Sequence, residues 1–237
     1  MTRRRWIADE VVGDRAALTG AHAAHLSRVL RVQVGQEFDV ACGERVRRGT
    51  VASVADERVE FVLGQEVAAR VPVPITLLLA VFKFDRMEWA IEKCTELNVT
   101  SIVPVIARRT EKHLAAAAEK RVERWRRIAR EASQQSRGVT APVIEDPVKL
   151  AEAINTTAEL RIVLAETEKE TQLSDVLRDR QEATSVALAI GPEGGWTEEE
   201  LQLFEKAGWV SASLGATILR AETAAIAALA IARAELR

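Results

Sequence analysis

The rhythm of apolar positions changes about a third of the way along this chain. Up to about residue 70 the apolar residues alternate in short stretches. Residues 36–41 read as a strand, Cys42-Gly43-Glu44 as a turn, and residues 45–54 continue with Val, Thr and Val. Residues 57–65 alternate, with Val59, Phe61 and Leu63 set against Glu60, Val62 and Gly64. One helical stretch, 21–30, interrupts the series, and the pattern predicts a small β-barrel. Val71-Pro72-Val73-Pro74 then reads as a linker, because two alternating prolines favour extended backbone and stop a helix.

Beyond the linker the apolar runs become continuous, as in strands buried on both faces. Residues 75–82, 101–106, 160–165, 185–190 and 210–214 are the predicted strands. Between them, residues 85–97 have helical spacing, with Met87, Ile91, Cys94 and Leu97 on one side. Residues 115–135 read as one long helix, basic on its outer face. Helices are also predicted over 197–207, where Thr197 and Glu200 form a capping-box pattern, and over the alanine-dense stretch 222–236. Strands alternating with helices indicate an α/β domain with a mainly parallel sheet. The expected domains are therefore 1–70 and 75–237, with the linker at 71–74.

Composition narrows the chemistry. The net charge of −2 over 237 residues gives no global basic field. Yet residues 108–137 carry ten Lys or Arg against four Glu, while 145–205 are acidic, an asymmetry that fits an anionic partner on one face as well as a solvated helix. Two separated cysteines, Cys42 and Cys94, form no disulfide framework and fit a reducing compartment. The basic Met1–Trp6 start lacks the apolar core of a signal peptide, and no run approaches the roughly 20 apolar residues of a membrane span. A cytoplasmic location is expected. His22, His25 and His113 do not combine with Cys or carboxylates at ligand spacing, so no metal is expected.

Two glycine-containing strand-to-helix loops hold the candidate chemistry. Ile190-Gly191-Pro192-Glu193-Gly194-Gly195 has neither the Lys-Ser/Thr of a phosphate loop nor the glycine spacing of a dinucleotide loop. Gly194 and Gly195 permit positive φ and close approach, so the loop can bring backbone groups to a flat ligand. A tight turn is an equal reading of this segment alone. Leu214-Gly215-Ala216-Thr217-Ile218-Leu219-Arg220-Ala221-Glu222-Thr223-Ala224 adds a turn, an apolar wall at Ile218 and Leu219, and charged residues at a helix start. The carboxyl edge of an open α/β sheet is where such folds bind ligands.

Together these segments resemble the SPOUT superfamily of knotted, S-adenosylmethionine-dependent RNA methyltransferases. Within it the chain is similar to the ribosomal RNA small subunit methyltransferase E family. His25-Leu26-Ser27-Arg28-Val29-Leu30-Arg31 follows that family's H-x-x-x-V-L-R. Lys83 to Trp89 follows K-x-x-R-M-E-W, and Lys93-Cys94-Thr95-Glu96-Leu97 follows K-x-T-E-L. Arg124-Trp125, Glu131-Ala132 and Gln135-Ser136 match the helix beyond, and the two glycine loops complete the series. Three positions depart from the pattern. Thr217 stands where the family has Arg before I-L-R, and Asn98, which can also take a left-handed conformation, stands for Gly after E-L. Gly138, preceded by Arg137, stands where many members have Arg.

The resemblance implies an α/β chain: a C-terminal SPOUT trefoil-knot methyltransferase domain behind an N-terminal PUA-like RNA-binding β-barrel, acting as a homodimer. The implied activity is methylation of uridine N3 in 16S ribosomal RNA, free or in the assembled small subunit. The other readings are a SPOUT methyltransferase with a different rRNA or tRNA target, and a ribosome-assembly RNA-binding protein without catalysis. S-adenosylmethionine would lie among Leu164-Ala165-Glu166, Gly191, Pro192, Glu193 and Gly194, and Leu214, Gly215, Ile218, Leu219 and Thr223. Uridine N3 is a poor nucleophile until its proton leaves, and a fixed guanidinium beside O2 or O4 favours the anion. Arg220 is the expected catalytic residue, unless it only pairs with Glu222 or Glu193. Glu222 would accept the proton, organise Arg220 or cap the helix. Expected RNA contacts are Arg4, His25, Arg28, Arg31, Lys83, Arg86, Arg109, Arg124 and Arg137. Lys83, Arg86, Glu88 and Lys93 are expected to form an ion-pair network, and Trp6 and Trp89 to lie in the core.

Overall fold

Alternation in the first part of the chain builds one six-stranded sheet in the computed structural model, which describes residues 5–43, 45–67, 72–136 and 140–236. Its strands are β1 (Arg5–Ile7), β2 (Glu10–Val12), β3 (Arg15–Thr19), β4 (Glu37–Cys42), β5 (Arg45–Ala55) and β6 (Arg58–Glu66), in the order β1-β4-β5-β6-β3-β2. Only β1 and β4 run parallel. The chain between the two edge strands bonds to both sides: Ala8 N–H donates to Ala41 and Asp9 N–H to Ala17. The sheet curls as a half-barrel around Leu18, Val40, Val51, Val59 and Phe61, with Leu26 packed against them. Strands β1 to β3 are only three to five residues long, too short to show alternation, which is why the sequence pattern missed them. The helical stretch 21–30 divides into α1 (Gly20–Ala24) and a π-helical turn, His25–Val29.

By its contacts the chain divides into two units, Met1–Val71 with Ser133–Thr140, and Pro72–Ala132 with Ala141–Arg237. The second contains a seven-stranded, wholly parallel sheet. Its strands are β7 (Ile75–Ala80), β8 (Ser101–Ile106), β9 (Val143–Ile144), β10 (Val148–Lys149), β11 (Leu160–Leu164), β12 (Val186–Ile190) and β13 (Val210–Ala212). The order is β10-β8-β7-β12-β11-β13, with β9 also on β8. β12 therefore lies between β7 and β11, and every one of its five residues is buried.

The helices around this sheet are α2 (Phe84–Glu96), α3 (Lys112–Ala117), α4 (Val122–Gln135), α5 (Leu150–Ala153), α6 (Leu173–Asp179), α7 (Glu198–Lys206) and α8 (Ala221–Glu235). The single long helix expected over 115–135 is broken by a 3₁₀ turn at Glu119–Arg121. Leu114, Ala118, Val122 and Trp125 on either side are all buried, so tertiary packing overrides the helix propensity of the alanine run. In α8 the small residues Ala225, Ala228 and Ala232 are fully buried, and the helix packs against α2 and β12. Arg233 of α8 donates to the carbonyls of Val73, Leu97 and Asn98. Asn98 ends α2 in the left-handed region, at φ 63°, the conformation open to Asn there. Among the described residues the guanidinium of Arg233 has only carbonyl partners, and burial lowers its pKa to about 10.

Trp89 corrects one expectation. The buried face of α2 is Met87, Ala90, Ile91 and Cys94; Trp89 points the other way and is 47% exposed. The expected network within α2 also fails to form. Lys93 pairs with Glu92 and Glu96, while Arg86 and Glu88 take partners from other elements.

Candidate functional site

The carboxyl ends of β12, β11 and β13 lie side by side and open into a cavity of about 650 Å³. Parallel strands align their carboxyl ends, so loops from distant sequence positions converge there without further design. The first wall is Leu164, Ala165 and Glu166 at the end of β11, continued by Thr167, Glu168 and Lys169. The second is Ile190 to Glu193 with Gly195 and Trp196. The third runs from Ala212 through Leu219 to Ala221 and Ala224 on the first turn of α8. Gln172, in the loop before α6, closes one side through a bridge to Ser213.

Local chemistry shapes each loop. Gly195 adopts φ +70°, whereas Gly194 is not in the left-handed region and instead gives its carbonyl to Arg109. A Cβ on Gly191 would meet the indole of Trp196 at 3.3 Å. That indole is buried and packs edge-on against Phe204. Gly215 sits at φ +118°, a conformation that other residues rarely adopt, and so turns the chain from β13 into the third wall. Ala216, Thr217 and Ile218 beyond it are exposed, Ile218 by 77%. An apolar side chain this open at a cavity rim is a surface for a flat apolar ligand group.

The second loop is braced from below by a capping box. Thr197 accepts from Glu200 N–H, and the Glu200 carboxylate accepts from Thr197 N–H at 2.9 Å. Its other oxygen accepts from Arg108 N–H at 2.8 Å. Glu200 is only 3% exposed, so both oxygens are satisfied where water is scarce. This positions Arg109, whose guanidinium holds the carbonyls of Gly194 and Trp196.

Charges in the cavity are unevenly matched. The Glu168 carboxyl accepts from Thr171 and Glu170 N–H, which hold it below the usual carboxylate range. Glu166 faces the cavity, exposed, with no hydrogen bond or ion pair among the described residues. Arg86, from the first turn of α2, takes Glu193 at 2.6 Å and stands 3.8 Å from Glu222. Glu222 is buried, and its Oε2 has no hydrogen-bond partner among the described residues.

Ten of the residues expected around a cofactor face this cavity: Leu164, Ala165, Glu166, Gly191, Pro192, Glu193, Leu214, Gly215, Ile218 and Leu219. Gly194 and Thr223 do not, and neither do Arg220 and Glu222. Arg220 is the exposed N-cap residue of α8. No hydrogen bond or ion pair holds its side chain among the described residues, and the carboxylates that were its candidate partners are on Arg86. Arg109, expected at RNA, lines the cavity. Arg124 is held by both oxygens of Glu88, at 2.7 and 2.8 Å. Lys83, at the start of α2, is exposed without a side-chain partner among the described residues. In the other unit, His25, Arg28 and Arg31 lie on and just after the π-helical turn, all exposed, with Arg28 paired to Asp56. Arg4 and Arg137 lie outside the described residues, as does the Gly138 departure.

Sequence reasoning missed Gln172, Trp196 and Ser213 as wall residues. The aromatic directly after Gly195 was a usable signal for Trp196; nothing local marks the Gln172–Ser213 bridge. Among the described residues no group of His, Cys, Asp or Glu is placed to hold a metal ion, and no helix is long and apolar enough to cross a membrane.

Comparison with known proteins gives consistent findings. The family model described as an RNA methyltransferase domain matches residues 69–233. A ribosomal RNA small subunit methyltransferase E of Synechocystis is 32% identical over 229 residues, covering 94% of this chain and 74% of that protein. Its namesake from Mycobacterium bovis is 31% identical, covering 92% and 85%. The crystal structure of a ribosomal RNA small subunit methyltransferase E from Neisseria gonorrhoeae, bound to S-adenosyl methionine, superposes with TM-score 0.81 at 28% identity, covering 99% of this chain and 98% of that one. A Legionella pneumophila protein in complex with the same cofactor superposes with TM-score 0.78, also at 28% identity, covering 99% and 98%.

Proposed function

Since the chain belongs to the ribosomal RNA small subunit methyltransferase E family, we propose that it transfers a methyl group from S-adenosylmethionine to N3 of a uridine in 16S ribosomal RNA. The observation that carries this reading is the cavity at the carboxyl ends of β12, β11 and β13, in a fold that superposes on relatives holding that cofactor.

The residues present fit the cofactor. A volume of about 650 Å³ lies within the usual range for small-ligand sites, ~300–1,000 Å³. Gly191, Gly195 and Gly215 leave backbone exposed along its walls, where N–H and C=O groups can read an adenine edge. Leu214, Ile218 and Leu219 supply the apolar surface. The unpaired carboxylate of Glu166 suits a ligand that carries an ammonium and a sulfonium. When bound, the cofactor supplies a methyl group already activated on positive sulfur, so the protein's task is positioning and electrostatics.

Arg220 is the residue we assign to the uracil. Its guanidinium is exposed and uncompensated beside the third wall, available to stabilise negative charge on a uracil carbonyl oxygen as the N3 proton leaves. Glu222, paired with Arg86, serves this step through the placement of the α8 start. The RNA contacts we assign are His25, Arg28 and Arg31 within one unit and, separately, Lys83 and Arg124 within the other; as phosphate contacts they position the enzyme without reading sequence. The curled six-stranded sheet supports a PUA-like RNA-binding domain. The superposition on family members of the same fold supports a trefoil knot in the parallel-sheet domain. Homodimerisation and a cytoplasmic location complete the proposal.

The deciding experiment maps methyl marks on 16S rRNA from a strain lacking this gene, with and without complementation. Loss of one uridine-N3 mark, restored by the wild-type chain, is expected; persistence of every such mark refutes the target. An Arg220→Ala enzyme that binds S-adenosylmethionine and still turns over normally refutes the role of Arg220.

A further inference from the structure

Three charged side chains from distant parts of the chain meet behind two of the cavity walls. Arg86 Nη1 donates to Glu193 Oε1 at 2.6 Å, and its Nε lies 3.8 Å from Glu222 Oε1. Glu193 belongs to the second wall. Glu222 lies on the first turn of α8, between Ala221 and Ala224 of the third wall. Glu222 is 6% exposed, and its Oε2 has no hydrogen-bond partner among the described residues. A carboxylate this deep is costly unless an opposite charge accompanies it. Arg86 is the cation that accompanies it, and the same guanidinium reaches the neighbouring wall.

We propose that Arg86, expected from sequence to contact RNA, is a positioning residue for methyl transfer. By holding Glu193 and Glu222 together it fixes the second cavity wall against the start of α8. By occupying both carboxylates it leaves Arg220 without an acidic partner of its own. Removing Arg86 therefore has two effects: the walls separate, and Glu222 becomes a buried charge free to capture the nearest cation. The proposal rests on the reading of the cavity as the S-adenosylmethionine site.

The test uses the full-length protein, calorimetric titration with S-adenosylmethionine, and steady-state methylation of small ribosomal subunits lacking the mark. Wild-type binding comes first; a wild-type protein that binds no S-adenosylmethionine overturns the cofactor reading and this proposal with it. With binding established, Arg86→Ala is expected to raise the Kd for S-adenosylmethionine by about tenfold to a hundredfold, the fold-change of one charge-assisted hydrogen bond. Arg86→Lys restores part of the affinity, and the KM for RNA stays near the wild-type value in both. The double variant Arg86→Ala/Glu222→Gln loses less than the product of its single variants, because they remove a shared interaction. An unchanged Kd in Arg86→Ala, with a raised KM for RNA, overturns the proposal and makes Arg86 an RNA contact. If Arg86→Ala gives no thermal transition, Arg86→Lys, which keeps the charge but cannot span both carboxylates, decides. A weakened Kd then supports the clamp, and an unchanged one overturns it.

Discussion

Substituting alanine at Gly215 and at Gly194 separates the two ways a glycine can matter in this cavity. Gly215 adopts φ +118°, and nothing lies within 4 Å of a Cβ built there. The added methyl meets no neighbour, so the whole penalty is backbone strain, about 1–3 kcal/mol. The next three residues are exposed and can relax, which relieves the strain by moving the third wall. The loss then appears in cofactor affinity rather than in folding: a Kd about 5- to 150-fold weaker, with little change in melting temperature. At Gly194 the balance is reversed. Its φ is ordinary, and a Cβ would meet Arg109 Cδ at 3.3 Å, part of a flexible side chain. Gly194→Ala therefore shifts Arg109 by a few tenths of an ångström and weakens binding less. Calorimetry with S-adenosylmethionine on both variants, alongside thermal melts, measures the contrast. Gly215→Ala with wild-type affinity, or Gly194→Ala with the larger loss, refutes the reasoning.

Three other outcomes are expected. Glu200→Ala leaves Thr197 and Arg108 N–H without their acceptor in a buried place; a loss of about 2 kcal/mol, or roughly 4–8 °C in melting temperature, is expected, and an unchanged melt contradicts the bracing role. Glu166→Gln removes a cavity carboxylate with no partner among the described residues and should weaken S-adenosylmethionine by up to about fivefold, and the product S-adenosylhomocysteine, which keeps the ammonium but lacks the sulfonium charge, by less; wild-type affinity for both ligands counts against it. Burial pushes the Cys94 thiol up to about 12 and also raises Cys42. The reactive thiolate of Cys94 is therefore scarce below that pH, and a thiol reagent at pH 8 should label it only after denaturation. Rapid labelling of Cys94 in the native protein would show that the interior around it opens.

The outline of the parallel sheet was legible because each buried strand is a continuous apolar run, a signal contained within six residues. The same is true of the capping box at Thr197 and Glu200, which needs only three residues of spacing. The pattern failed where brevity hides periodicity, as in β1 to β3 and the two-residue strands β9 and β10. It also failed at the 3₁₀ turn in the basic helix, because alanine-rich propensity says nothing about what Leu114 and Val122 must pack against.

Charged residues divide most clearly between the two levels. Sequence alone marked Arg86, Glu193, Arg220 and Glu222 as members of recognisable segments, and named ten of the residues that line the cavity. It could not say which cation holds which carboxylate. Arg220 is two residues from Glu222, and proximity in the chain favours that pair; the tertiary structure gives Glu222 to Arg86 instead. The reason is geometric. Arg220 caps the start of α8 and is exposed, while Glu222 turns inward toward α2, and an ion pair forms between side chains that meet in space. Local order determined the elements and their chemistry. The convergence of three parallel strand ends determined which charges are spent on structure and which remains free to act.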